Sequence, residues 1–133
     1  MSLSLPPWPQ LVELYDAPPD LSSCPLYYVN VDERDTSVTL GFETSRLPDH
    51  PEPDWEEGTY NTLRFFVVFS GVDELRMAGV AAEQPERPGR TVRVTETAMG
   101  RQRVSVTSET RSISFTAEAS RLDRIRVYLQ GSP

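Results

Sequence analysis

Apolar residues recur with a period of two along most of this chain. Val38, Leu40 and Phe42 alternate with Ser37, Thr39 and Gly41, the pattern of a strand with one buried face. Upstream, Leu26–Val31 is a β-branched and aromatic run, and the polar stretch Asp32-Glu33-Arg34-Asp35 between the two predicts a hairpin turn. Tyr60–Ser70 is the strongest strand signal. Leu63, Phe65, Val67 and Phe69 form one face, while Phe66 and Val68 add apolar bulk to the other. A strand apolar on both faces belongs inside a sheet rather than at its edge. Gly71 breaks the run, and Val72–Val80 resumes it with Leu75 and Met77 on one side.

The C-terminal third repeats a shorter theme. Val92 and Val94, Val104 and Val106, Ile113, Phe115 and Ala117, and Ile125, Val127 and Leu129 each alternate with polar residues, mostly Arg, Ser and Thr. Met99-Gly100, Glu109-Thr110 and Ser120-Arg121 supply the expected breaks. The pattern predicts a mainly β fold: an antiparallel meander forming a curved sheet or sandwich, with an apolar inner face and an Arg/Ser/Thr outer face. Only Pro9–Tyr15 reads as helix, with Leu11, Val12 and Tyr15 on one side. So short a helix draws its stability from docking on the sheet. All 133 residues are expected in a single β-rich domain, with residues 1–7 flexible and residues 44–59 an acidic, proline-rich loop.

Composition narrows the setting. One cysteine, Cys24, excludes an internal disulfide and points to a reducing cytoplasm. Placed before Pro25 at a strand entrance, it reads as a buried structural thiol. The N-terminus shows no basic segment followed by an apolar run, so no signal peptide is expected. The longest apolar stretch, Phe65–Phe69, is five residues, against roughly twenty for a membrane helix. All thirteen basic residues are arginine, and with twelve prolines this fits a high-GC coding bias of actinobacterial type.

Charge changes the picture more. Residues 1–58 hold twelve carboxylates against Arg34 and Arg46, a balance of −10, while residues 59–133 hold eight carboxylates against eleven arginines, or +3. The acidic half repels nucleic acid and anionic membrane and attracts a basic surface. Its densest part is Asp49-His-Pro-Glu-Pro-Asp-Trp-Glu-Glu57. That segment fits a docking surface for a basic protein, with Trp55 as an aromatic anchor among steering charges and prolines limiting the entropy lost on binding. The plainer alternative is a solvated loop with Trp55 folded back onto the core.

Candidate catalytic and metal chemistry is thin. His50 has Asp49, Glu52 and Asp54 beside it, but no second histidine, no cysteine partner and no EF-hand glycine, so no metal site or cofactor is expected. A Cys–His pair would require Cys24 to meet His50 with a third orienting group. Nothing singles out two carboxylates as a glycosidase pair, and no phosphate-binding glycine loop is present. The expectation is that the chain is not an enzyme. Arg93, Arg103, Arg124 and Arg126 share a sheet face in this pattern, and cross-strand pairing with Glu96, Glu109, Glu118 and Asp123 is expected to occupy them.

The order of features resembles the immunity protein 50 family of bacterial polymorphic toxin systems. The residues that carry it are Trp8, Leu11-Val-Glu-Leu-Tyr-Asp16, Pro19-Asp-Leu21, the hairpin Val29–Phe42, Leu47-Pro-Asp49, Trp55, Tyr60-Asn-Thr62 and Gly71-Val-Asp-Glu-Leu75, closing with Gly79. They cover about residues 8–80, and the pattern departs at Val80, where a tryptophan is expected. The resemblance implies a cytoplasmic antitoxin that binds and blocks a cognate toxin, with no catalytic residues. Together with the charge pattern it gives an expected contact set of Asp49, Glu52, Asp54, Trp55, Glu56 and Glu57, assisted by Asp32, Glu33 and Asp35 at the hairpin tip. The expected partner is a toxin with a basic surface, such as a nuclease would carry. Two alternatives stay open: an accessory β protein acting by self-association as a homo-oligomer, and a small-ligand carrier with a pocket between sheet and helix.

Overall fold

The computed structural model describes residues 8–17, 19, 21–56, 60–79, 91–108 and 111–129. Eight strands run in chain order: β1 (Leu26–Asp32), β2 (Ser37–Thr44), β3 (Thr62–Ser70), β4 (Asp73–Ala78), β5 (Thr91–Glu96), β6 (Gln102–Thr107), β7 (Ser112–Ala117) and β8 (Ala119–Tyr128). They form two antiparallel four-stranded sheets: sheet A in the order β1-β2-β3-β8, and sheet B in the order β4-β7-β6-β5. Each sheet is a three-strand meander completed by a strand that follows the other meander. β4 leaves the first meander to join the second, and β8 does the reverse. β3 lies between β2 and β8, the interior position its two-sided apolar pattern predicts.

Both crossings occur at one corner. The chain leaves sheet A at Gly71, where φ is +62°, and returns at Glu118, whose N–H donates to the Ser70 carbonyl at 2.8 Å. Glycine takes that left-handed backbone without strain, and a Cβ at position 71 would sit 2.6 Å from the Glu118 side chain, whose exposed end would have to swing aside. Arg101 closes the corner by donating to the Gly71 carbonyl at 2.8 Å. The break expected at Ser120-Arg121 therefore falls earlier. Both residues lie inside β8, opposite Phe69 and Val68, and their polarity reflects an edge strand rather than a turn.

The inner faces supply one core. Val38, Leu40 and Phe42 of β2 and Leu63, Phe65, Val67 and Phe69 of β3 are fully buried, joined by Val92, Val94, Val104, Val106, Ile113 and Phe115 of sheet B. Phe42 stacks on Phe65 with ring centroids 5.5 Å apart, and Phe69 meets Phe115 edge-on at 5.3 Å, across the two sheets. Burying a phenylalanine ring is worth about 2–3 kcal/mol. At the margins the alternation weakens. Met77, on edge strand β4, is 47% exposed and Leu129 is 50% exposed.

The N-terminal helix α1 (Pro9–Leu14) starts on a proline, whose missing N–H costs nothing in a first turn. It buries Leu11 and Leu14, with Tyr15 just beyond, while Val12 is 47% exposed. The buried set follows i, i+3, i+4 rather than the Leu11–Val12–Tyr15 face expected from sequence. Trp8, buried just before the helix, donates its indole N–H to Ser120 of β8 at 3.2 Å. A 3-10 turn at Leu21–Ser23 shields the free edge of β5. There the Ser22 hydroxyl donates to the Val92 carbonyl and accepts from the Val92 N–H, each at 3.0 Å.

Candidate partner-binding surface

The acidic loop joins β2 to β3 and contains a single helical turn, α2 (Pro53–Glu56). Four polar contacts pin its start to Leu14 at the end of α1 and to Tyr15 and Asp16 just beyond it. The His50 N–H donates to the Leu14 carbonyl at 2.9 Å, and the Asp16 N–H donates to the Asp49 carboxylate at 2.9 Å. His50 Nε2 lies 2.6 Å from the Asp16 carboxylate, and the Tyr15 hydroxyl donates to the Arg46 carbonyl at 2.6 Å. The Arg46 guanidinium also lies over the Tyr15 ring, 5.1 Å from its centroid. Burial above all pushes the Tyr15 pKa up to about 12, with Cys24 adding to the shift and Arg46 opposing it. That phenol stays protonated and keeps its bond to the loop.

Trp55 is half-buried and packs against the core, meeting Tyr60 edge-on at 6.4 Å. It supports the loop from beneath rather than offering a free ring. Glu52 is exposed, while Asp49 is held by the Asp16 backbone. Asp54 and Glu56 belong to α2; Glu57 lies outside the described residues, as do residues 1–7. Between this loop, α1 and β8 runs a groove of about 420 Å³, bordered by Glu13, Glu52, Asp123 and Arg124 among others.

The hairpin tip lies elsewhere. The Asp32 carboxylate accepts from the N–H groups of Arg34 and Asp35 at 3.0 and 3.2 Å, which fixes the turn. This turn and the acidic loop sit at opposite ends of β2, eight residues long, which at ~3.3 Å per residue is ~23 Å between its terminal Cα atoms. Asp32, Glu33 and Asp35 thus do not join the loop carboxylates in one patch. The tip faces the sheet-crossing segment instead, where the Val72 N–H donates to the Thr36 carbonyl at 2.9 Å. A hollow of about 280 Å³ there is lined by Asp32, Glu33, Asp73 and Glu74 with Val31 and Leu75. Thr36 and Glu74 both hold positive φ, +47° and +55°, an unfavourable backbone for residues with a Cβ. The sequence marks Asp73 and Glu74 only as part of the Gly71–Leu75 segment, because nothing local says that the turn and the crossing meet.

The outer face of sheet A holds a second surface that sequence did not reveal. A bulge between Leu26 and Tyr28 puts the adjacent residues Tyr27 and Tyr28 near one ring, Phe66, at 6.0 and 5.6 Å. Period two would have sent them to opposite faces. Gly41 lies between Tyr28 and Phe66 in the register. A Cβ there would come within 2.8 Å of the Tyr28 Cβ and 3.0 Å of the Phe66 ring. A glycine inside a strand is the sequence signal for such a close approach.

Arg64 sits beside these rings, its Nε 3.0 Å from Glu43 and its guanidinium over Tyr27 and Tyr128 at 4.8 and 4.5 Å. Burial opposes the Arg64 charge, but the hydrogen bond and charge of Glu43 outweigh it and raise the pKa. Burial likewise raises that of Tyr27, against the pull of Arg64. The other sheet arginines differ from expectation. Arg93, Arg103, Arg124 and Arg126 form no ion pair among the described residues; Glu118 lies 4.0 Å from Arg101 instead. Register is the reason: Arg126 lies opposite Arg64, Arg124 opposite Phe66, and Arg93 opposite Ser105. Glu109 lies outside the described residues.

Cys24 is buried, whereas His50 is exposed and engaged with Asp16. No group of His, Cys, Asp and Glu among the described residues is placed to hold a metal ion, and no helix there is long and apolar enough to cross a membrane. Fold and surfaces together define a small two-sheet β protein whose distinctive chemistry is charge presented on ordered surfaces. The sequence model of immunity protein 50 matches residues 9–128 of this chain, which therefore belongs to that family. The match reaches through β8, well past the segment that carries the resemblance in sequence. No curated protein and no solved structure matches the chain.

Proposed function

We propose that this chain is a non-catalytic cytoplasmic immunity protein that neutralises a cognate toxin by binding it, and that its acidic loop is a contact surface. Family membership over residues 9–128 supports the immunity function. The anchoring of the loop's start supports the contact surface: four polar contacts at Arg46, Asp49 and His50 reduce the conformational entropy that this part of the loop has left to lose on binding. Asp49, Glu52, Asp54, Glu56 and Glu57 supply the steering charge, and Trp55 holds the loop from below. The partner's matching surface is basic, as the substrate cleft of a nuclease would be.

Co-expression with a candidate cognate toxin domain tests the function, since an immunity protein restores growth. Kinetics test the surface. Glu52→Gln combined with E56Q and E57Q is expected to slow association about tenfold at low salt and to flatten its salt dependence. An unchanged on-rate would remove the acidic loop from the interface.

A further inference from the structure

We propose that the outer face of sheet A, made by Tyr28, Phe66, Arg121, Arg124 and Arg126, is a second docking surface, one that takes a carboxylate-bearing region of the toxin. This rests on the toxin-binding reading above and extends it to the side of the molecule where no carboxylate excess was expected.

Arg121, Arg124 and Arg126 are exposed on β8 and have no ion pair among the described residues, in a chain with twenty carboxylates for thirteen arginines. Arg64, one strand away, is fully engaged by Glu43, Tyr27 and Tyr128. The register sets Arg126 directly opposite Arg64, and like charges in that position weaken a sheet. The isolated fold gains nothing from the arrangement. Beside the arginines, Tyr27 and Tyr28 are 39% and 41% exposed, and Phe66 is half-buried. Arginine and tyrosine on a firm aromatic base make up the composition of interface hot spots.

Charge selects the occupant. Across β2, β3 and β8 the charged residues are Arg64, Arg121, Arg124 and Arg126 against Glu43 and Asp123, a local excess of cations in a chain of net charge −7. That excess attracts carboxylates and repels the same face of a second copy. A nucleic acid strand running along the sheet would meet the acidic hairpin at one end and the acidic loop at the other. Arg124 also borders the groove that Glu13 and Glu52 share. The acidic loop and the arginine face therefore meet there, and a partner of opposite polarity across that line docks in one orientation.

Two charge reversals of equal size test this against the same toxin domain. R124E combined with R126E is expected to lower affinity at least thirtyfold, about the loss at a hot spot. R93E combined with R103E, on sheet B, is expected to change it less than about threefold. Thermal melting checks that both variants fold; should the reversal disturb β8, R124Q alone is expected to lose about tenfold. Equal losses in both pairs, or none in the first, overturn the proposal. So does a concentration-dependent dimer, or binding of a dT20 oligonucleotide, that the β8 pair abolishes. Failure of the wild-type chain to bind the toxin domain or restore growth overturns the immunity reading and takes this one with it. Normal binding by the wild type and the β8 pair alike removes this proposal alone.

Discussion

The two sheets bury the same kind of inner face and turn different outer faces to solvent. Across sheet B, Arg93, Ser105, Ser114 and Arg76 share one register row, and Thr91, Thr107, Ser112 and Ala78 the next. Across sheet A the corresponding rows are Tyr28, Gly41, Phe66 and Arg124, then Glu43, Arg64 and Arg126. Hydroxyls and isolated arginines stay hydrated at little cost. Exposed rings and facing arginines do not. The inner faces are what folding demands, so the excess on the outside of sheet A calls for another explanation, and partner binding supplies one.

The most severe way to break the comparison is to test whether the sheets are one folding unit at all. Phe115 of sheet B meets Phe69 of sheet A at 5.3 Å and is fully buried. Phe115→Ala is expected to cost about 3–5 kcal/mol, the ordinary range for a core aromatic, and to lower the urea midpoint of both sheets together. Trp8, hydrogen-bonded to β8, reports sheet A by fluorescence, while circular dichroism reports all strands. Coincident transitions are expected; a sheet A signal that survives the loss of half the ellipticity would mean the sheets fold apart.

A milder substitution sharpens the contrast between the outer faces. Phe66→Ala removes a half-buried ring that touches two tyrosines and is expected to cost about 2 kcal/mol. Ser114→Ala, at the matching interior position of sheet B, is expected to fall within about 0.5 kcal/mol of wild type. Chemical denaturation of the two variants decides it. Equal costs would mean the rings of sheet A add no more than hydroxyls do, and the face would lose its claim to special structure.

Sequence alone resolved the inner faces well, because burial writes itself into alternation: the valines of β5 and β6 and the four inward residues of β3 were all legible. The edges and surfaces were less so. β8 starts at Ala119, before the expected break, because a polar edge strand and a turn look alike in one dimension. A six-residue helix offers too few turns to fix its face, so the pattern points Val12 inward where the structure buries Leu14. Among the expected contact residues, the loop and the hairpin tip share a charge but not a place: the strand predicted between them already sets them at its opposite ends. The aromatic face was hidden by a bulge, which breaks period two where Tyr27 and Tyr28 need to share a side. Its one signal was Gly41, a glycine without a turn. The arginines without an ion pair among the described residues have a related cause: composition counts carboxylates, but register decides which of them an arginine meets.

The smallest expected effect is the most telling about sheet A, because its sign runs against the usual one. Arg126→Gln removes one of two cations that face each other across β3 and β8, and keeps the long side chain that covers the sheet. Relief of that repulsion is expected to stabilise the fold by about 0.2–0.5 kcal/mol, a rise of roughly 1–2 °C in Tm at low salt. The gain should shrink as salt screens the pair. Arg93→Gln serves as the control, since Arg93 faces Ser105 and has no like charge to escape. A variant that folds better while binding the toxin domain less well would show an arginine kept for its partner at the expense of the fold. A drop in Tm for R126Q would give Arg126 a structural role instead, and the two outer faces would then differ in composition without differing in purpose.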